Sequence, residues 1–176
     1  MDMLKERAET GRIYIMNIDH ANDHSSFKDR VYMSNLCQEI TLPTDPLQHI
    51  DGDGEIALCI LSAINVGKIN KREELQPLCE LAVRALDEII DHQQYPINAA
   101  EVSTKARRSL GIGYIGLAHY LAKKGYKYNQ KLAWRQVDKL TEAFQFYLLS
   151  ASVEVAKEKG KCEFFDKTKY ADGILP

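Results

Sequence analysis

The chain has 176 residues, 45% hydrophobic and 27% charged, enough for one globular domain with a real core. Its formal net charge of -2 gives no electrostatic basis for holding nucleic acid or an anionic membrane surface. No apolar run is long enough to cross a bilayer, and the opening "MDMLKERAETG" is charged and helical, so neither a membrane span nor a secretory leader is expected and the expected location is cytoplasmic.

In chain order, "LKERAET" reads as a helix stopped by Gly11. "RIYIMNI" (12–18) alternates and is rich in β-branched and aromatic residues, which predicts a strand. "DHANDHSSFKDR" (19–30) is polar and predicts a loop. "SNLCQEI" (34–40) then sets Asn35, Cys37 and Glu39 at every second position. In an extended segment these three share one face while Leu36 and Ile40 turn to the other. "LPTDPLQHIDGDG" carries two prolines and a D-G-D-G turn. The nearly unbroken apolar "EIALCILSAINVGKI" (55–69) predicts a strand covered on both faces, as in a parallel sheet, with Cys59 in its middle.

From Lys71 the period becomes helical. Leu75, Leu78, Ala82, Leu86 and Ile89 or Ile90 predict a helix over 71–92, starting near Glu74 so that Pro77 falls in its first turn. After "YPIN", the run "AAEVSTKAR" reads as a short helix or loop, and "RSLGIGYIGLAHYLAKKG" as a short strand entering a helix ended by Gly125. A long helix over 130–159 carries Leu132, Val137, Leu140, Phe144, Tyr147, Leu148, Ala151 and Val155 on one side and stops at Gly160, and the tail is irregular. Strands alternating with helices imply an α/β layout with parallel strands. Four or five strands, ending in "GILP" without a cap, predict one segment, 1–176, of a larger sheet with no second domain.

Several patterns suggest chemistry. The Asn-Cys-Glu alternation is either a polar edge strand with an incidental thiol or a reaction site. In a strand, residues two apart are separated by about 7 Å, the scale of one small substrate. Cys37, Cys59, Cys79 and Cys162 form no C-x-x-C pair, which argues against zinc and thioredoxin-like motifs. Cys59 on a central strand could face the same space as Cys37, or be a core thiol; Cys79 and Cys162 read as structural or incidental. "GIGYIG" (111–116) satisfies G-x-G-x-x-G, but without the strand before it and the acidic residue after it the better account is tight packing at a strand-to-helix turn. His20 and His24 lie in turn-rich sequence that argues against a helix presenting both to a metal, and no metal site is expected. Arg107 and Arg108 read as a solvated or ion-paired surface rather than a phosphate site.

"SNLCQEI" followed by "GEIALCILSAINVG", with "ERAETGRIYI" before and "RRSLGIGYIGLAHYLAKKG" after, resembles the catalytic large subunit of aerobic class I ribonucleotide reductases of the bacterial and bacteriophage type. The likeness runs through essentially the whole chain. It implies a segment of a ten-stranded α/β barrel, incomplete on its own, with a finger loop at about 34–41. It also implies a role for each matching position. Cys37 would become a thiyl radical that removes the ribose 3′-hydrogen, Glu39 would be the base at the 3′-hydroxyl, and Asn35 the amide that binds substrate. Leu36 and Gln38 would complete the substrate-binding stretch, and Cys59 would be one of two reducing cysteines that end as a disulfide.

The second reducing cysteine, the serine-rich phosphate loop, the radical-relay tyrosines and the nucleotide-sensing parts match nothing here, so the chain is expected to be an excised fragment or a split-gene product, inactive alone. No cofactor is expected in this chain; a di-iron tyrosyl-radical cofactor is expected in a separate small subunit. The implied partners are the remaining large-subunit segments, that small subunit, a ribonucleoside diphosphate, and thioredoxin or glutaredoxin as reductant. Two other readings stay open: a non-catalytic interaction module, and a thiol hydrolase using Cys37, which lacks a convincing histidine base.

Overall fold

The computed structural model describes residues 2–49 and 53–175. The D-G-D-G turn predicted at 51–54 lies partly outside the described residues. Contacts between Cα atoms divide the chain into two compact units, one made of 1–58, 95–107 and 163–176 and the other of 59–94 and 108–162.

The second unit is built on two parallel strands, β1 (Ile60–Asn65) and β2 (Leu110–Ile115), in register from Ile60 opposite Leu110 to Asn65 opposite Ile115. Its long helices are α3 (Leu75–His92) and α6 (Lys131–Lys159), with the short α5 (Leu117–Lys123) following β2. The parallel pairing and the three helices appear as predicted. Pro77 is the third residue of α3, where its missing N–H costs nothing. The buried stripe of α3 runs through Leu75, Cys79, Val83, Leu86 and Ile90, so Leu78 and Ile89 flank it rather than forming it. Ile64, Val66, Leu75, Cys79, Leu140 and Phe144 form the main core, where each fully buried aliphatic side chain contributes roughly 1.5–3 kcal/mol.

Three strand predictions need correction. The 55–69 run forms a strand only over 60–65, and one face alone is covered, by α3 and α6, while Leu61 and Ile115 are exposed. Residues 12–17 form no ladder, and Ile18 opens α2 (Ile18–Asp23), so β-propensity without a partner strand does not become a strand. Among the described residues there are two strands, not four or five, plus one antiparallel bridge between Phe27 and Thr168.

The tight packing expected of the "GIGYIG" run holds at two of its three glycines, Gly111 and Gly116, while Gly113 has open space around it. A side chain at Gly111 would collide with Leu61, and Gly116, at φ +78°, lies against Asn65 and the amide of Gly67.

The first unit contains α1 (Asp2–Thr10), ended by Gly11 at φ +66°, then α2, and α4 (Asn98–Arg107). Its tail makes two single 3-10 turns, Phe165–Lys167 and Lys169–Asp172. Paired polar groups, rather than a large apolar cluster, hold this unit together. Lys28 N donates to Lys167 O at 2.8 Å and Lys169 N to Ser26 O at 2.8 Å, fastening the tail to the 26–28 segment.

Candidate functional site

The "SNLCQEI" stretch is a turn. Gln38 N donates to Asn35 O at 3.1 Å, which puts Leu36 and Cys37 at the two central positions. Gln38 follows at φ +61°, a left-handed conformation that costs a non-glycine residue roughly 1–2 kcal/mol. The Asn35 side chain closes the loop, its Oδ1 accepting from Ile40 N at 3.0 Å and from Ser34 Oγ at 3.2 Å. The shared face expected of a strand is therefore replaced by a short loop. An asparagine that bonds its own backbone offers the chain a turn that competes with extended structure.

The loop presents its groups outward. Cys37, Asn35 and Glu39 are exposed, and Leu36 is 81% exposed at the tip. Asn35 Nδ2 and the Glu39 carboxylate have no protein partner among the described residues. The turn thus offers one thiol, one amide donor and one carboxylate acceptor on three alternate residues.

Both stems of the loop are anchored by residues the sequence did not single out. On the incoming side, buried Val31 is held by Asn22 on α2, whose Oδ1 accepts from Val31 N at 2.8 Å and whose Nδ2 donates to Val31 O at 2.9 Å. The Asn22 amide acts as a one-residue strand partner.

On the outgoing side Glu55 N donates to Asp45 O at 3.1 Å, and Asp45 N donates to Glu55 Oε2 at 2.9 Å. The same oxygen accepts from Arg107 Nη2 at 2.7 Å, and both side chains of that ion pair are almost wholly buried. Arg107 also reaches Asp29 at 3.4 Å and lies over the rings of Phe27 and Phe164, 5.5 and 5.0 Å from their centroids. One guanidinium joins four chain segments. Both arginines are ion-paired, but the expected surface position fails for Arg107, which is buried in this cluster, whereas Arg108 in the second unit pairs with Asp87 and Asp91 at 2.7 Å each.

Cys59 belongs to the second unit. It is the residue just before β1 rather than mid-strand, and it is an exposed thiol. Cys79, by contrast, is fully buried, and burial pushes its thiol up to about 11. His20 lies on α2 and His24 caps it, so the helix that the polar sequence argued against does form. Among the described residues no three His, Cys, Asp or Glu side chains converge on a point where a metal would sit.

A family model of the ribonucleotide reductase barrel domain matches residues 1–176. The chain belongs to this family. It is 56% identical to the ribonucleoside-diphosphate reductase subunit alpha of Haemophilus influenzae, over 99% of this chain and 24% of that protein. The Escherichia coli ribonucleoside-diphosphate reductase 1 subunit alpha is 55% identical and the Enterobacteria phage T4 subunit alpha 37%, each over 99% of this chain and 23% of the relative. The chain spans about a quarter of the length of the curated relatives it matches. The expectation of an α/β barrel segment is met: parallel neighbours β1 and β2 carry their long helices on one side, as barrel strands do.

Proposed function

We propose that this chain supplies the cysteine turn of a ribonucleoside-diphosphate reductase catalytic subunit, which reduces ribonucleoside diphosphates to their 2′-deoxy counterparts in the cytoplasm. One observation carries the reading: Asn35, Cys37 and Glu39 stand on a single anchored turn in a chain whose whole length belongs to the barrel family.

In this reading Cys37, as a thiyl radical, takes the 3′-hydrogen atom of the ribose. Sulfur suits this exchange because it is soft and can return the atom. Glu39 accepts the 3′-hydroxyl proton, work that needs a carboxylate within about 3 Å of that hydroxyl. Asn35 has committed its oxygen to the turn, and its Nδ2 is the group left to donate to substrate. Leu36 and Gln38 shape the rest of the contact.

The 2′-hydroxyl leaves as water. Cys59 and a second cysteine outside this chain supply two electrons and two protons and end as a disulfide, and Cys37 then returns its hydrogen to C3′. Thioredoxin or glutaredoxin reduces the disulfide. The one-electron oxidation of Cys37 is assigned to a separate radical-generating small subunit with a di-iron tyrosyl-radical cofactor. The remaining barrel segments shelter the exposed turn from water, as radical chemistry requires.

In a complex restored with the remaining segments, Cys37→Ser is expected to abolish deoxynucleotide formation while assembly, measured by sedimentation, is unchanged. Retained reduction contradicts the assignment and favours a non-catalytic module.

A further inference from the structure

A cleft of about 370 Å³ opens in the second unit at the carboxyl ends of both strands. It is walled by the Val66–Arg72 segment that follows β1, by α5 after β2, and by one face of α6. In parallel α/β sheets this end of the strands is where ligands are bound, because the loops there converge on a crevice. The six residues of β1, about 20 Å of strand, separate the cleft from Cys59 at the opposite end.

The lining is segregated by charge. Lys71, Arg72, Lys123, Lys124 and Lys139 face it, and no carboxylate lines it among the described residues, in a chain whose net charge is -2. Two of the five cations are already committed. Lys123 Nζ donates to Asn70 Oδ1 at 2.9 Å and to the carbonyls of Gly67 and Ile69 at 3.3 and 3.4 Å, and Lys124 lies over Tyr120. Lys71, Arg72 and Lys139 make no ion pair with any described residue. The floor is apolar, formed by Val66, Leu75 and Leu140 of the main core.

Three unpaired cations around an apolar floor are complementary to a dianion joined to an apolar body. A guanidinium flanked by ammonium groups matches the several oxygens of a phosphate better than a single carboxylate. We propose that this cleft binds a small organic phosphate, with the phosphate on Lys71, Arg72 and Lys139 and the apolar body against Leu75, Leu140 and Tyr120.

The test uses the assembled protein that contains this chain and reads lysine acetylation residue by residue by mass spectrometry. Phenyl phosphate is the probe, benzyl alcohol the apolar control, and Lys5, exposed on α1, the internal reference. Phenyl phosphate is expected to slow labelling of Lys71 and Lys139 saturably and leave Lys5 unchanged, with no protection by benzyl alcohol. Arg72→Gln is expected to raise the half-saturating concentration about ten-fold, the loss of one charge-assisted contact. The proposal is overturned if protection is equal at Lys5, if Arg72→Gln leaves it unaltered, or if phenyl phosphate protects neither lysine. It is equally overturned if both lysines are unreactive in the assembled protein without probe, since the cleft is then filled by polypeptide.

Discussion

The side-chain oxygen of Asn35 accepts a hydrogen bond from the backbone amide of Ile40 at 3.0 Å, closing a ring of chain around Cys37. One residue therefore shapes the turn with its oxygen and keeps its nitrogen uncommitted among the described residues. Asn35→Asp keeps the acceptor and removes the donor, whereas Asn35→Ala removes both. Asn35→Asp is expected to preserve slow hydrogen exchange at the Ile40 amide while lowering reduction. Asn35→Ala is expected to lose both, at about 1 kcal/mol for the missing turn bond. Equal exchange rates in the two variants would show that the side chain does not close the turn.

Arg107→Met leaves Glu55 buried without its charge partner and unfastens the neck between Asp45 and Glu55. Breaking one side of a buried pair costs roughly 3–5 kcal/mol. The expected result is a large drop in the urea midpoint, partly recovered by the double change Arg107→Met with Glu55→Gln, which removes the stranded charge. A midpoint within error of the parent would show that the cluster does not hold the first unit together.

Acid should loosen the second unit through Asp87. Burial acts to raise this carboxyl, but hydrogen bonds from Arg108 and Lys159 outweigh it and hold it below its ordinary 3.8. A group whose folded pKa is depressed stabilises the fold above its unfolded pKa, and that contribution is lost as pH falls from about 4 through the folded value. Asp87→Asn is therefore expected to be less stable than the parent at neutral pH, with the difference narrowing below about pH 4. A difference constant with pH would mean that the pair contributes nothing through its charge.

The cysteines should separate by chemistry and by access. Under the proposed function Cys59 is one of two reductants, so Cys59→Ser is expected to stop multiple turnovers, and unchanged turnover would take Cys59 out of the mechanism. Cys79, buried in the core with its thiol pushed up to about 11, should resist iodoacetamide in the folded chain at a pH where exposed thiols react. Alkylation of Cys79 at the rate of Cys59 would contradict its burial.

Helices were the legible part of the sequence. The 3.6-residue recurrence from Leu75 to Ile90 and the glycines at 125 and 160 mark α3, α5 and α6 within a residue or two, because the apolar stripe and its stops are both local signals. Strands were not legible to the same degree. "RIYIMNI" has every local feature of a strand, and β-structure needs a partner that local sequence cannot supply. The alternation in "SNLCQEI" mimics a pleat for a related reason, while the Asn35 amide binds backbone and bends the chain, and a loop at about 34–41 is expected from the family resemblance alone. The candidate chemistry was visible in residue types and context, but its supports were not. Asn22 sits in a polar run that looks solvated and Glu55 is the lone carboxylate opening an apolar run, and only the fold shows that one replaces a strand partner and the other meets a buried guanidinium.

Hydrogen-atom transfer at Cys37 is tested by the rate of deoxynucleotide formation by the restored complex with substrate carrying deuterium at C3′. If Cys37 removes that hydrogen as an atom, the deuterated substrate reacts more slowly in single-turnover measurements, and Cys37→Ser forms no product from either substrate. Equal rates for the two substrates, together with product formation by Cys37→Ser, would rule out hydrogen-atom transfer at Cys37.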